Sequence, residues 1–361
     1  MVVYLIGTKA QYIKMAPVVL ESIRRGLSMC LVYTGQHSET FEDLQENFGL
    51  PDPDHVLVTG GEAKDHSSFT HWLWSALRAA RQPHARAIWS GADTIVVHGD
   101  TASTLLGALI GWRHGLKVAH VEAGLRSFKY FHPFPEELVR IAVSRIARIH
   151  FCPDKQALTN LQKMGAHGQH VLTFGNTMKD ALRIAQSRAL AWTENQYNYA
   201  VFSMHRHENL FNRARLDGLL DSLRGMAGII PIKFVLHHVT LKRLLALNLI
   251  EKLAAVPGLE LVPRMDFLSF ASLLTHASFV ATDGGSNQEE CAMLGIPCLL
   301  LRQATERADG LNGGVVLSNY DYDLMMNFAR LYAGPPTTRL MLDDQSPSRI
   351  IVDNLQMLDK T

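Results

Sequence analysis

Short apolar runs rich in β-branched residues alternate along this chain with longer stretches of helical period. Val2–Ile6 is such a run and stops at Gly7; Lys14–Arg25 follows with helical spacing. Met29–Tyr33 predicts a strand and Glu39–Phe48 a helix. Thr94–Val97 predicts a strand, with a helix from Ser103 towards Trp112, and Lys117–Val121 predicts the next strand. Glu136–Arg148 predicts an amphipathic helix presenting Leu138, Ile141, Ala142 and Ile146 on its apolar face, and His150–Cys152 a short strand.

The pattern restarts after Gly175. Thr177–Leu190 reads as a helix, Tyr199–Phe202 as a strand, Leu216–Met226 as a helix and Lys233–Leu236 as a strand. Phe279–Thr282, Gln288–Leu294 and Cys298–Leu301 continue as strand, helix, strand. Repeated βαβ units imply parallel sheets covered by helices on both faces. Two such blocks predict two Rossmann-like domains, residues 1–174 and 175–345, followed by a helix within 346–361 that can pack on either. Ligands of such sheets bind beyond the carboxyl ends of the strands. Polar residues gather at those ends: Gly7-Thr8-Lys9, His98-Gly99-Asp100-Thr101, His120-Val121-Glu122, Ser203-Met204-His205-Arg206 and Thr282-Asp283-Gly284-Gly285. Two halves turning these ends towards each other enclose a cleft.

Length agrees with two domains: 361 residues exceed the roughly 250–300 at which a single core stops growing. Lys and Arg number 35 against 34 Asp and Glu, and this balance leaves no electrostatic footprint for nucleic acid or an anionic membrane. Cys30, Cys152, Cys291 and Cys298 form no CxxC pair and read as reduced, buried thiols of a cytoplasmic protein. The first apolar run is too short for a signal peptide and lacks a basic flank, and no stretch reaches the length of a membrane span.

Each polar motif has a chemical and a structural reading. In TDGGSNQEE (Thr282–Glu290), Gly284 and Gly285 allow close backbone approach, the following helix N-terminus favours phosphate, and Glu290 suits two ribose hydroxyls. The alternative is a glycine turn capped by Ser286. Thr305-Glu306-Arg307 offers an arginine for phosphate or for Glu306. Asp100 is either a general base or part of a helix cap. Glu122, followed by Gly124 and Arg126, suits a buried polar site. Glu136 and Glu137, after Pro135, complement a helix dipole; alternatively Glu136 joins Asp100 and Glu122 in a cluster of three carboxylates whose members separate acid from base. His205, Arg206 and His207 suit phosphate charge better than metal, because no third ligand stands at a recognisable spacing. His237-His238 is a further pair. Lys9 and Lys14 flank the first turn; one of them is a candidate phosphate contact, and Lys14 equally reads as a solvated helix residue.

In order and at these separations the segments resemble the UDP-N-acetylglucosamine 2-epimerases. The carriers are GTKAQYIKMAP (Gly7–Pro17), TGQH (Thr34–His37), VHGDT (Val97–Thr101), HVEAGLRS (His120–Ser127), PFPEELVR (Pro133–Arg140), GNT (Gly175–Thr177), HRHENL (His205–Leu210), TDGGSNQEE and TER (Thr305–Arg307). The resemblance implies a GT-B fold with UDP held mainly by the second domain and the last helix returning to the first. It implies removal of the C2 proton, anti elimination of UDP to a 2-acetamidoglucal, and re-addition to the other face; hydrolysing relatives add water instead. Asp100, Glu122 and Glu136 match the catalytic carboxylates, His205 the histidine near the leaving phosphate, Lys14 a lysine of the first loop and Glu290 the ribose-binding acid. Lys9, Arg140, Arg206, Gly284, Gly285, Ser286 and Arg307 complete the expected UDP-sugar contacts. No metal or redox cofactor is needed, and the expected partners are a UDP-sugar and a second copy of the chain. The departures are GTKAQ for the family's GTRPE and TDGGS for TDSGG. A GT-B glycosyltransferase shares the fold and the UDP loop, but it requires an acceptor.

Overall fold

The computed structural model describes residues 1–36, 41–59, 66–129, 134–189, 198–305, 310–311, 313–335 and 344–358. They form two compact units, Met1–Ala181 with Asp344–Thr361, and Leu182–Asp343. Among the described residues no helix is long and apolar enough to cross a membrane.

The first unit is built on a seven-stranded sheet. Its strands are β1 (Val2–Ile6), β2 (Met29–Tyr33), β3 (His55–Val56), β4 (Thr94–His98), β5 (Lys117–Val121), β6 (Ile149–Cys152) and β7 (Gln169–Leu172). Their spatial order is β3-β2-β1-β4-β5-β6-β7, parallel throughout. β1 and β4 are buried along their whole length, as strands of a two-sided sheet should be, β1 as a continuous apolar run and β4 with Thr94 and His98 at its ends. The helix Ala102–His114 lies close on this sheet through Gly107 and Gly111: a Cβ at Gly107 would stand 2.6 Å from Val97 Cγ1, and one at Gly111 2.5 Å from Val118 Cγ2. The helix Pro347–Leu358 packs against Lys9–Arg24 and buries Ile351, Val352 and Leu355. Arg25 pairs there with Asp353, and the amide of Ser348 donates to Asp180 at 2.8 Å.

The second unit carries β8 (Ala200–Ser203), β9 (Ile232–Leu236), β10 (Leu259–Pro263), β11 (Val280–Thr282), β12 (Cys298–Leu300) and β13 (Val315–Leu317). Their order is β10-β9-β8-β11-β12-β13, again parallel. In each unit the strand order reverses once, between β1 and β4 and between β8 and β11, and the carboxyl ends at such a reversal form the ligand crevice.

Of the helices that differ from the sequence pattern, two bear on the site. The first begins at Lys9 rather than Lys14, because Thr8 and Gln11 close a capping box at its start. The helix Glu136–Ile146 turns another face inward: Glu137, Val139, Val143 and Ser144 are buried, whereas Leu138 is 39% exposed. The cause is Glu137, whose carboxylate accepts from Arg126 Nε (2.6 Å) and the amides of Ser127 (3.0 Å) and Phe128 (3.2 Å). That polar anchorage fixes the rotation of the helix.

Candidate active site

The first reversal brings the turn after β1 beside the turn after β4. Gln11 joins them. Its carbonyl oxygen accepts from the amides of Gly7 (2.9 Å) and Thr8 (3.1 Å). Its amide nitrogen donates to His98 O (2.7 Å), Thr101 Oγ1 (2.9 Å) and Thr104 Oγ1 (2.9 Å). Thr101 is the N-cap of the next helix, so Asp100 is not needed as a cap. Its Oδ2 instead takes two nitrogens of Arg140, Nε at 2.9 Å and Nη2 at 2.5 Å. The same guanidinium stands 3.5 Å from Glu137 Oε2.

Glu122 follows β5 with a left-handed backbone, φ 65°. Its Oε1 accepts from Asn176 Nδ2 at 2.6 Å and Lys14 Nζ at 3.1 Å; its Oε2 lies 3.0 Å from His98 Nε2 and 3.3 Å from Lys14 Nζ. Burial pushes the carboxyl upward, but the Lys14 charge and the His98 contact outweigh it and hold Glu122 well below the usual carboxylate range. Lys14 is itself buried, which excludes the solvated reading. Glu137 is likewise held low: burial raises it, and the bonds from Ser127 and Arg126 more than offset that. Glu136 opens its helix, and its Oε2 is buried without a hydrogen-bond partner among the described residues. His120 Nε2 donates to Gly99 O at 2.8 Å, and burial depresses its imidazole to about 3. Lys9 is the partly exposed first residue of its helix.

At the second reversal the organiser is Asp283, fully buried after β11. It accepts from the amides of His205 (3.0 Å) and Arg206 (2.9 Å) and from Asn209 Nδ2 (2.9 Å). Asn209 also donates to Leu301 O (3.1 Å) and accepts from Tyr320 OH (3.0 Å). His205 Nδ1 stands 3.4 Å from Asp283 Oδ1, with its ring 4.5 Å from that of His237. Gly284 is the N-cap of the helix Gly285–Leu294 and has no side chain to cap it, so Ser286 does not cap this helix. A Cβ at Gly284 would lie 3.1 Å from His205 Cε1 and 3.2 Å from Asn287 Oδ1. Space beside His205 therefore depends on this glycine. Asn287 is buried with its Nδ2 unpartnered among the described residues, and Glu290 is buried one turn further on. Amides at such a helix start, with an unused side-chain donor, suit an anion.

The profile of the UDP-N-acetylglucosamine 2-epimerase family matches residues 21–327. The chain belongs to that family. It is 30% identical over 323 residues to the UDP-N-acetylglucosamine 2-epimerase of Methanocaldococcus jannaschii, covering 86% of each chain. It is also 30% identical over 344 residues to the UDP-2,3-diacetamido-2,3-dideoxy-D-glucuronate 2-epimerase of Pseudomonas aeruginosa, covering 91% of each. The crystal structure of the M. jannaschii epimerase in complex with UDP-GlcNAc and UDP superposes with a TM-score of 0.76 at 27% identity over 99% of both chains. The two Rossmann-like units are thus those of the epimerases' GT-B class.

Of the residues that the epimerase motifs single out, the first unit brings Asp100 to Arg140 and Glu122 to Lys14. The second brings His205 to the edge of Gly284. Arg206 stands 3.6 Å from Glu208, Ser286 is exposed, and Arg307 lies outside the described residues. Gln11, His98, Asn176, Asn209 and Asp283 were not singled out. His98 and Asp283 carried a signal, each a polar residue at a strand end, Asp283 directly before two glycines. Among the described residues no group of three or more His, Cys, Asp or Glu is placed to hold a metal ion.

Proposed function

We propose that this epimerase-family chain interconverts UDP-N-acetylglucosamine and UDP-N-acetylmannosamine. The observation that carries the reading is the set of carboxylates beyond β4 and β5, Asp100 and Glu122, each held by its own cation, Arg140 or Lys14. A C2–H beside an amide is weakly acidic, so its removal requires a base at fixed distance and a leaving group that departs as its charge forms. In this reading the first unit supplies the proton chemistry. The second holds UDP: the amides from Gly284 and Gly285 and the side chains of His205 and Arg206 take the diphosphate, and Glu290 takes the ribose. Lys9 and Arg307 remain candidate phosphate contacts, and Lys14 acts through Glu122.

The test is incubation with UDP-N-acetylglucosamine in deuterated water. Deuterium at C2 and the appearance of UDP-N-acetylmannosamine are expected in the proton spectrum; neither signal would refute the reading for this sugar. Free N-acetylmannosamine with stoichiometric UDP would instead identify the hydrolysing reaction, and turnover dependent on an acceptor would identify a glycosyltransferase. The equal identity to the P. aeruginosa enzyme makes the diacetamido uronate the second substrate to offer. A cytoplasmic homodimer completes the reading. Four free, buried cysteines suit a reducing compartment, and Trp74 and Trp112, 73% and 70% exposed, suit a subunit contact that sedimentation would detect.

A further inference from the structure

The turn after β13 is strained. Between Leu317 and the helix Tyr322–Tyr332, two successive residues other than glycine, Asn319 and Tyr320, have left-handed backbones, φ 49° and 59°. Asparagine tolerates that region, whereas a bulky aromatic residue there is an outlier. Such a conformation persists only where the surrounding bonds impose it. Here the amide of Asn319 donates to Arg302 O (3.1 Å), that of Asp321 donates to Ser318 O (2.9 Å), and Asp321 caps the helix that follows. The turn brings the Tyr320 hydroxyl to Asn209 Oδ1, to which it donates at 3.0 Å. The Arg215 guanidinium lies over the Tyr320 ring, 4.4 Å from its centroid.

Asn209 is fully buried, and the two ends of its carboxamide have different neighbours. Nδ2 donates to Asp283 Oδ2 (2.9 Å) and Leu301 O (3.1 Å), and Oδ1 accepts from Tyr320. A carboxamide turned end for end would set its oxygen against the Asp283 carboxylate, two acceptors with no proton between them. The phenol therefore fixes which end faces Asp283. Asp283 in turn holds the amides of His205 and Arg206. Arg215 braces the same segment, its Nη1 donating to Glu208 O at 3.3 Å.

We infer that Tyr320 is a positioning residue for the diphosphate of the nucleotide, acting through Asn209 and Asp283 on the turn that bears His205 and Arg206. The inference rests on the proposed role of the second unit as the holder of UDP and names the residue that sets its phosphate end. None of the bonds in this chain involves Glu290, to which the same proposal gives the ribose. The phenol thus bears on the phosphates and not on the nucleoside, and that selectivity separates positioning from a general loosening of the unit.

The experiment measures UDP affinity by calorimetry and uridine affinity by NMR titration for the full chain and its Tyr320→Phe variant, which keeps the ring under Arg215 and removes only the hydroxyl. Tyr322→Phe, two residues on, loses a phenol outside the chain of bonds and serves as the control. Tyr320→Phe is expected to bind UDP about tenfold more weakly, the scale of one buried acceptor left without its donor, with uridine affinity and the thermal midpoint close to those of the natural chain. Tyr322→Phe is expected to leave both affinities unchanged. Adding Tyr320→Phe to Asn209→Ser is expected to weaken UDP binding no further, because the phenol acts through that carboxamide. Unchanged UDP affinity in Tyr320→Phe, an equal loss for uridine, or additive losses with Asn209→Ser would overturn the assignment while leaving UDP binding by the second unit standing. No binding of UDP by the natural chain would overturn both.

Discussion

Lys14 shows how one side chain decides whether a buried acid is tolerable. Its ammonium lies 3.1 Å from Glu122 Oε1, and both side chains are largely removed from water, 9% and 14% exposed. Removing one partner of such a pair leaves an uncompensated charge in a poor solvent. Lys14→Met is therefore expected to destabilise the first unit by about 3 kcal/mol, and Lys14→Met with Glu122→Gln to recover a large part of it. Urea unfolding of the two single variants and the double variant measures the coupling; strictly additive losses would show that Lys14 and Glu122 do not depend on each other. Asp283 poses the same problem with a different answer: backbone amides and Asn209, rather than a cation, surround it. A carboxylate satisfied that way shapes a turn, here the one bearing His205 and Arg206.

Among the elements, the helix Glu136–Ile146 tests what apolar spacing can decide. Val143 is fully buried, and Val143→Ala is expected to cost about 2 kcal/mol, whereas Leu138→Ser on the exposed side should change stability by under about 0.5 kcal/mol. Equal losses in denaturant titrations would return Leu138 to the core. The helix itself was legible from its period. Its phase was not, because the turn inward is set by Glu137 reaching Arg126, which no count of apolar residues registers. The strands fared better: β1, β2 and β5 begin and end where the sequence pattern put them, and β1 shows why, since a strand buried on both faces is written as an unbroken apolar stretch. For the site, the strand-end rule and the resemblance pointed to the carboxylates. Their partners lie up to 108 residues away along the chain, as Lys14 does from Glu122, and such pairings become visible only once the fold is known.

Across the whole molecule, acid should be more damaging than base. His120, His150 and His170 stand opposite one another on β5, β6 and β7, a row through the interior of the first sheet. Burial lowers His120 to about 3 and His150 to about 4, from 6.5. Below pH 6.5 the unfolded chain therefore binds protons that the folded chain refuses, so stability falls as pH drops towards 4. Each histidine contributes up to about 1.4 kcal/mol per pH unit in that range. Thermal midpoints between pH 6.5 and 4.5, a window above the ordinary carboxylate range, should decline steeply in the natural chain and less so in His150→Gln; parallel curves would absolve His150. The helix Pro347–Leu358 has a consequence of another kind. It seals the face of Lys9–Arg24, yet a ribosome makes it only after residues 182–343. During synthesis the unit begun first is finished last, and its open helical face waits through the birth of the entire second unit, a period in which a chaperone has something to shield.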